Sequence, residues 1–387
     1  MRILLVGEFS RLHNSLKEGL VALGHEVVLI NNGDGFKNFP SDYTNRATWC
    51  ESKLGNIPRQ IIYRLSKFDI SKIEHGIRFY FHLDKLKSFD VVQLINEAPI
   101  QTMNWLERFI LNKIFKQNTA VFLLCSGVDY FSVQHMLSKK ERYSIMNPYF
   151  ENIKDAKNEI DFLLNYTTES SLKTHKLVTT NSKGFIASDI DYVNPIKEQS
   201  KFLGLVPNPI NTSKIKYSHN VIEEKINIFL GINTGNYHLK GIPYFEKALV
   251  AIKEKYSSKI NIIISKNIPY SLYIKHYDDA HILLDQVYGY DQGYNALEAM
   301  LKGKVVFTGA DKEFLEFYNL KEDEVAINAL PDVDYLVQKL SFLIENPSKI
   351  IEIGQNASNF VQKEHNYVKV AEKYLEKWNS KLKENHE

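Results

Sequence analysis

Cysteine is nearly missing from this chain: Cys50 and Cys125 are the only two among 387 residues. Two thiols argue against a disulfide framework or a zinc site and suit a reducing cytoplasm. Charge of one sign is missing too, with a net +2 from 48 basic and 46 acidic residues, so nothing global points to nucleic acid. No apolar run approaches the length of a membrane span. The opening run from Met1 to Gly7 is short and no cleavage site follows, so a buried first strand is expected there rather than a secretory leader. The loop after it, Gly7 to Asn14, has no Gly-x-Gly-x-x-Gly, the fingerprint a dinucleotide dehydrogenase places at this point.

What is there reads as an α/β chain too long for one core. Short apolar runs bounded by polar loops predict parallel strands buried on both faces. They fall at Ile3–Val6, Val27–Ile30, Val91–Ile95, Val121–Leu124 and Leu177–Thr180. A second series follows at Ile226–Leu230, Ile260–Ile264, Ile282–Leu284 and Val305–Phe307. Leu12, Leu16 and Leu20 make one helical stripe, closed by Gly24. Between the two series, Val206 to Ser213 is polar and proline-bearing, as a linker is. The expected organisation is two doubly wound, Rossmann-like domains facing a cleft, residues 1–205 and 226–365, joined by 206–225. A last helix over 366–387 carries Ala371, Tyr374, Leu375 and Trp378 on one stripe.

The most informative stretch runs from Asp285 to Phe307. It reads as a strand end, a glycine-bearing loop, a short helix stopped by Gly303, and another strand. Gly293 stands just before the helix, where a missing side chain lets a ligand approach the backbone. The first-turn amides of Tyr294 and Asn295 lack intrahelical partners, so the helix start suits a diphosphate. Glu298 adds one carboxylate. This stretch resembles the signature of the retaining GT-B glycosyltransferases of the GT4-like group, Glu-Gly-x-Gly-x-x-x-x-Glu-Ala-Met-x-x-Gly-x-Pro-Val. Gly293, Glu298, Ala299, Met300 and Gly303 fit it. Tyr290 stands at the first acidic position, Asp291 at the first glycine, and the proline is absent.

The resemblance implies a GT-B fold in which the second domain binds a nucleoside-diphosphate sugar and the last helix returns to brace the first. It implies that Glu298 grips the ribose hydroxyls and that a lysine beside the diphosphate offsets charge on the leaving group. Gly231 to Gly241 supplies Lys240-Gly241 for that role. The family's arginine is missing, with Asn233 or His238 in its region, and Asn267 to Tyr270 are placed beside the base. On the first domain the resemblance puts Gly7, His13 and Asn14 near the acceptor, or else the latter two sit on the exposed side of the first helix. Asp129, in Cys125-Ser-Gly-Val-Asp129, either orients the acceptor hydroxyl or caps the following helix. The expected catalytic set is Lys240, Asp129, Asp291 and Glu298, with Asn233, Tyr290, Gly293, Tyr294 and Asn295 also on the donor.

Two Asp-x-Asp triplets, Asp189-Ile-Asp191 and Asp332-Val-Asp334, match the metal motif of another glycosyltransferase fold. The first reads as a loop far from the phosphate signal and the second as a helix cap, so no metal is expected. No cofactor is expected beyond the donor itself. Basic and aromatic residues alternate over 53–87 and from Trp105 to Lys116. They read either as a surface resting on anionic lipid or as amphipathic helices covering the first sheet. The partners expected are a nucleotide sugar, a glycan or lipid-linked acceptor and the inner face of a membrane. A GT-B protein that binds a nucleotide sugar without transfer, and a GT-B epimerase, remain open.

Overall fold

The computed structural model describes residues 1–218, 221–268 and 270–383. Its first sheet holds β1 (Arg2–Val6), β2 (Glu26–Asn31), β3 (Tyr43–Thr44), β4 (Val91–Leu94), β5 (Ala120–Cys125), β6 (Gly184–Ala187) and β7 (Phe202–Leu205). The second holds β8 (Ile226–Ile232), β9 (Ile260–Lys266), β10 (Ile282–Leu284), β11 (Val305–Thr308) and β12 (Ile327–Asn328). All their pairings are parallel. The helices that frame them include α1 (Leu12–Ala22), α2 (Lys53–Ser66), α3 (Ser71–His82), α4 (Asn104–Gln117) and α5 (Tyr130–Leu137). After the first sheet come α6 (Ile242–Tyr256), α7 (Tyr294–Leu301) and the terminal α8 (Tyr367–Lys383).

Strand order is 3-2-1-4-5-6-7 in the first sheet and 12-11-10-8-9 in the second. Both orders reverse once, between β1 and β4 and between β8 and β10, and a crevice for ligand opens outside the strand ends at such a reversal. Alternate residues of each strand serve opposite faces. Ile3, Leu5, Phe122 and Leu124 join a core with α1 and α8. Leu4, Val6, Leu123 and Cys125 join the other face with α3 and α4. The core behind α1 continues through Trp378 and Tyr374 to Leu297, Met300 and Phe229, so one apolar layer spans both sheets. The terminal helix does return to the first sheet: the Trp378 indole donates to Gln93 Oε1 of β4 at 3.0 Å.

One expectation changes. Leu177–Thr180 belongs to a helix, Glu169–Asn181, and the strand is β6, just beyond it. Val178 faces the core as one turn of that helix, and four residues of mixed apolar type carry no period that separates strand from helix. The stretch 206–211 is buried throughout. Ile210 exchanges backbone hydrogen bonds with His365 and Tyr367, at 2.7 and 3.1 Å. The polar join between β7 and β8 is therefore pinned to the start of α8.

Candidate functional site

In the second sheet the loops after β8 and β10 flank the reversal, and each carries one half of the expected donor site. Lys240 ends the first loop. Its ammonium meets Asp285 Oδ1 at 2.8 Å. Asp285 directly follows β10 and is buried, and the same oxygen accepts from Asn295 Nδ2 at 3.2 Å. Thr308 Oγ1, at the end of β11, reaches Asp285 Oδ2 at 3.4 Å. One carboxylate thus draws the lysine, the first turn of α7 and the end of β11 to a single point. The close approach needs Gly241: a side chain there would lie 2.0 Å from Val287 Cγ2, and its φ is +65°.

Gly293 is the N-cap of α7 and offers no side chain to its first turn. Its φ is −77°, and a Cβ added there would meet nothing within 4 Å. Neither strain nor crowding within the chain calls for glycine here, which leaves room at the helix start. Glu298, one turn on, is half-buried, and its carboxylate has no hydrogen bond or ion pair among the described residues. It lines a cavity of about 550 Å³ with Arg11, Ser15, Asn211, Lys214 and Tyr294. Burial raises its pKa, and Arg11, Lys302 and Lys37 pull it back.

Tyr290 and Asp291 are engaged across the domain boundary. The Tyr290 ring stacks on Tyr143 with centroids 4.8 Å apart, and the Arg142 guanidinium lies 5.0 Å over it. Its hydroxyl accepts from Tyr143 N–H and donates to Tyr143 C=O, at 3.2 and 3.1 Å. An aromatic residue at the family's acidic position therefore serves as a domain contact. The Asp291 carboxylate accepts from Ile190 N–H at 3.0 Å and from Gln292 N–H at 2.7 Å. In return Asp191 accepts from Tyr290 N–H at 2.9 Å and Asp291 N–H at 3.3 Å. The Asp189-Ile-Asp191 triplet, expected far from the donor signal, is thus pressed against it. Its oxygens take N–H donors, as do those of Asp332, which caps a helix at Tyr335 N–H. Among the described residues no group of three or more His, Cys, Asp or Glu could hold a metal.

Burial, the largest cause, raises the pKa of Asp191 to about 7 and of Asp291 to about 6, and Asp291 adds repulsion at Asp191. Carboxyls with raised folded pKa values stabilise the domain contact most below their unfolded value near 4. That stability is lost as pH rises through about 7. The thermal midpoint should fall between pH 4 and 8, and Asp191→Asn, which keeps an acceptor for Tyr290 N–H, should flatten the fall. An equal slope in both proteins would show that these acids do not titrate in this window.

On the first domain, Gly7 follows β1 and accepts from His13 Nδ1–H at 2.8 Å. The bond fixes the neutral tautomer, burial lowers the His13 pKa to about 3, and its Nε2 has no partner. Both His13 and Asn14 are buried, so the exposed-face alternative fails; Arg11 and Ser15 form the nearby cavity wall. Glu8 was not singled out by sequence. It accepts from the N–H groups of His13 and Asn14 at 3.2 and 2.9 Å, putting a carboxylate at the start of α1. Burial raises its pKa to about 7. Asp129 caps α5 by accepting from Ser132 N–H at 2.7 Å. Its other oxygen is buried with no hydrogen-bond partner among the described residues, and burial followed by repulsion from Glu97 raises its pKa to about 7. Gly127, Val128 and Ser132 around it line a second cavity of about 220 Å³, whose far wall is Gly289 to Asp291 and Gly293.

Of the remaining residues, Asn233 is exposed and caps a short turn at Gly235 N–H, 2.9 Å away. His238 is tied to Glu159 of the first domain at 2.9 Å. Tyr294 reaches Pro209 C=O with its hydroxyl. Of the segment placed beside the base, Pro269 lies outside the described residues, as does the side chain of Tyr270.

The overall fold is shared with solved structures. Sucrose-phosphate synthase from Thermosynechococcus elongatus superposes with a TM-score of 0.59 at 15% identity, over 98% of each chain. Anabaena HepE in complex with UDP and glucose gives 0.58 at 11% identity, over 98% of this chain and 100% of that one. The chain has the GT-B fold. The UDP-GlcNAc 2-epimerase of Neisseria meningitidis, bound to UDP-GlcNAc, shares the GT-B fold at 0.52 and 12% identity, over 98% and 100%. In sequence, residues 233–376 match the family described as glycosyl transferase-like. That match covers the loop of Lys240, the Asp285 junction and α7. No curated protein sequence matches the chain.

Proposed function

We propose that the protein is a retaining glycosyltransferase that moves a sugar from a nucleoside diphosphate to a hydroxyl of a glycan or lipid-linked acceptor. The observation that carries this reading is the junction at Asp285, where Lys240 and Asn295 meet beside the open start of α7. There an ammonium and a helix N-terminus converge on the place a diphosphate would occupy. The ammonium has three donors, so it can keep Asp285 and still reach a phosphate oxygen. Glu298 receives the ribose hydroxyls, its carboxylate being unpaired in the neighbouring cavity. HepE, which shares the fold, was solved with UDP and glucose, and the glycosyl transferase-like match takes in Lys240, Asp285 and Glu298 here.

In this reading the acceptor enters against the first domain, beside Gly127 and Val128, with Asp129 behind them. His13 and Asn14 hold the β1 loop. The lysine and the helix amides stabilise the departing diphosphate, and attack on the same face retains the anomeric configuration. No metal is needed where these groups carry the charge. The enzyme works in the cytoplasm on surface polysaccharide precursors.

Calorimetry with UDP, GDP and ADP should show one diphosphate binding in the presence of EDTA. Incubation of the matching sugar donors with an acceptor panel should then release diphosphate and give product of unchanged anomeric configuration by NMR. Diphosphate binding with no turnover would instead make the chain a nucleotide-sugar binding protein. Conversion of the donor sugar without acceptor would make it an epimerase.

A further inference from the structure

Helix α2 shows its apolar side to water. Leu54, Ile57, Ile61 and Leu65 recur at helical spacing and share one stripe. Leu54 and Leu65 are 82% and 84% exposed, Ile57 is 61% exposed, and only Gly55 of this helix is buried. A soluble helix normally turns such a stripe inward. The alternative reading of this segment, helices that cover the first sheet, holds for α3 and α4, which send Phe79, Leu106, Ile110 and Ile114 into the core. It does not hold for α2.

The apolar surface continues beyond that helix. The Trp49 ring would lie 3.1 Å from a Cβ at Gly55. Trp49 also walls an apolar hollow of about 550 Å³ with Ile70, Ile73, Ile77 and Phe81. Phe81 is 74% exposed. Beside it Tyr80 stacks on Phe109 of α4 at 6.0 Å, under the Lys113 ammonium.

The charge around this surface is mostly positive. Residues 53–87 hold eight Lys and Arg against three Asp and Glu, in a chain whose net charge is +2. Asp69 and Glu74 are taken by Arg59 and Arg78, each at 2.6 Å. Lys53, Arg64 and Lys67 have no carboxylate partner among the described residues. Lys53 and Arg64 fall along one edge of the α2 stripe, where long stems reach past apolar contacts to a polar layer.

We propose that this face, α2 with Trp49 and the outer side of α3, is a docking surface for an anionic lipid bilayer, α2 lying in its plane. Leu54, Ile57, Ile61 and Leu65 enter the acyl boundary while Lys53, Arg64 and Lys67 meet phosphate headgroups. A second copy of the chain fits less well, because it would set the same unpaired cations against each other. The surface adjoins the cleft: Thr102 Oγ1 donates to Lys72 C=O of α3 at 2.6 Å, and Pro99 of that loop packs on Gly7. The proposal goes beyond the transferase reading and needs no nucleotide to be tested.

The test is flotation of the full chain with phosphatidylcholine vesicles, with and without about one-third phosphatidylglycerol. The chain should float with the anionic vesicles only and detach as salt screens the headgroups. Leu54→Asp with Ile61→Asp, and separately Lys53→Glu with Arg64→Glu, should each weaken binding about tenfold or more. Far-UV circular dichroism and the melting temperature should match the wild type, which shows that the variants fold. Absence of flotation, or equal flotation with neutral vesicles, would overturn the proposal. So would a wild-type dimer in sedimentation that Leu54→Asp dissociates, since that assigns the face to a second copy.

Discussion

Lys240→Met should lower the transfer rate by about 10²- to 10³-fold, the usual cost of removing one preorganised charge from a leaving-group site. The same change should also cost stability, because it strips the buried Asp285 of its ammonium. A fully buried pair loses about 3–5 kcal/mol when one partner is removed; Lys240 keeps 29% of its side chain exposed, so about 1–3 kcal/mol is expected. The two effects separate in a second protein. Lys240→Met with Asp285→Asn leaves no buried charge unpaired, and the amide still faces Asn295 and Thr308. Its melting temperature should return toward the wild type while its activity stays low. Recovery of turnover with stability would mean that the ammonium only holds the fold. Wild-type turnover in the single variant would remove Lys240 from the site.

The strand-loop-helix from Asp285 to Phe307 was legible because its signals are local. Gly293, the helix after it and Gly303 lie within one strand-loop-helix, and the backbone there follows turn and cap chemistry. The place of Lys240 in the loop after β8 was legible for the same reason. Its partner Asp285 was visible as a strand end, but nothing in the sequence says that Asn295 and Thr308 turn toward it. The domain clasp was not legible at all. Asp191 and Asp291 are a hundred residues apart and are joined through backbone N–H groups, which leave no mark on residue type.

Periodicity has a related limit. It shows that α2 has an apolar stripe but not what the stripe faces, and here it faces water. The same limit produced the strand expected at Leu177–Thr180. A buried residue flanked by apolar and hydroxyl side chains fits one turn of helix as well as a short strand. Glu8 escaped for another reason. A glutamate in a loop usually reads as surface, whereas this one closes the first turn of α1 from inside the fold.

Glu298→Gln should weaken nucleoside diphosphate binding by about tenfold, since a hydrogen bond to a charged acceptor is worth about 1.5–3 kcal/mol and one to a neutral acceptor about 0.5–1.5 kcal/mol. The side chain has no partner to lose among the described residues, so the melting temperature should hold. Because the ribose is gripped alike before and during transfer, the donor KM should rise more than kcat falls. Inorganic pyrophosphate, which has no ribose, should inhibit wild type and variant equally. Burial raises the Glu298 pKa, and only the ionised form accepts from both hydroxyls. Donor affinity of the wild type should therefore fall as pH drops through that raised value, and the glutamine variant should show no such loss. Equal weakening of pyrophosphate and nucleotide would place Glu298 at the diphosphate, and unchanged affinity for both would take it out of the donor site.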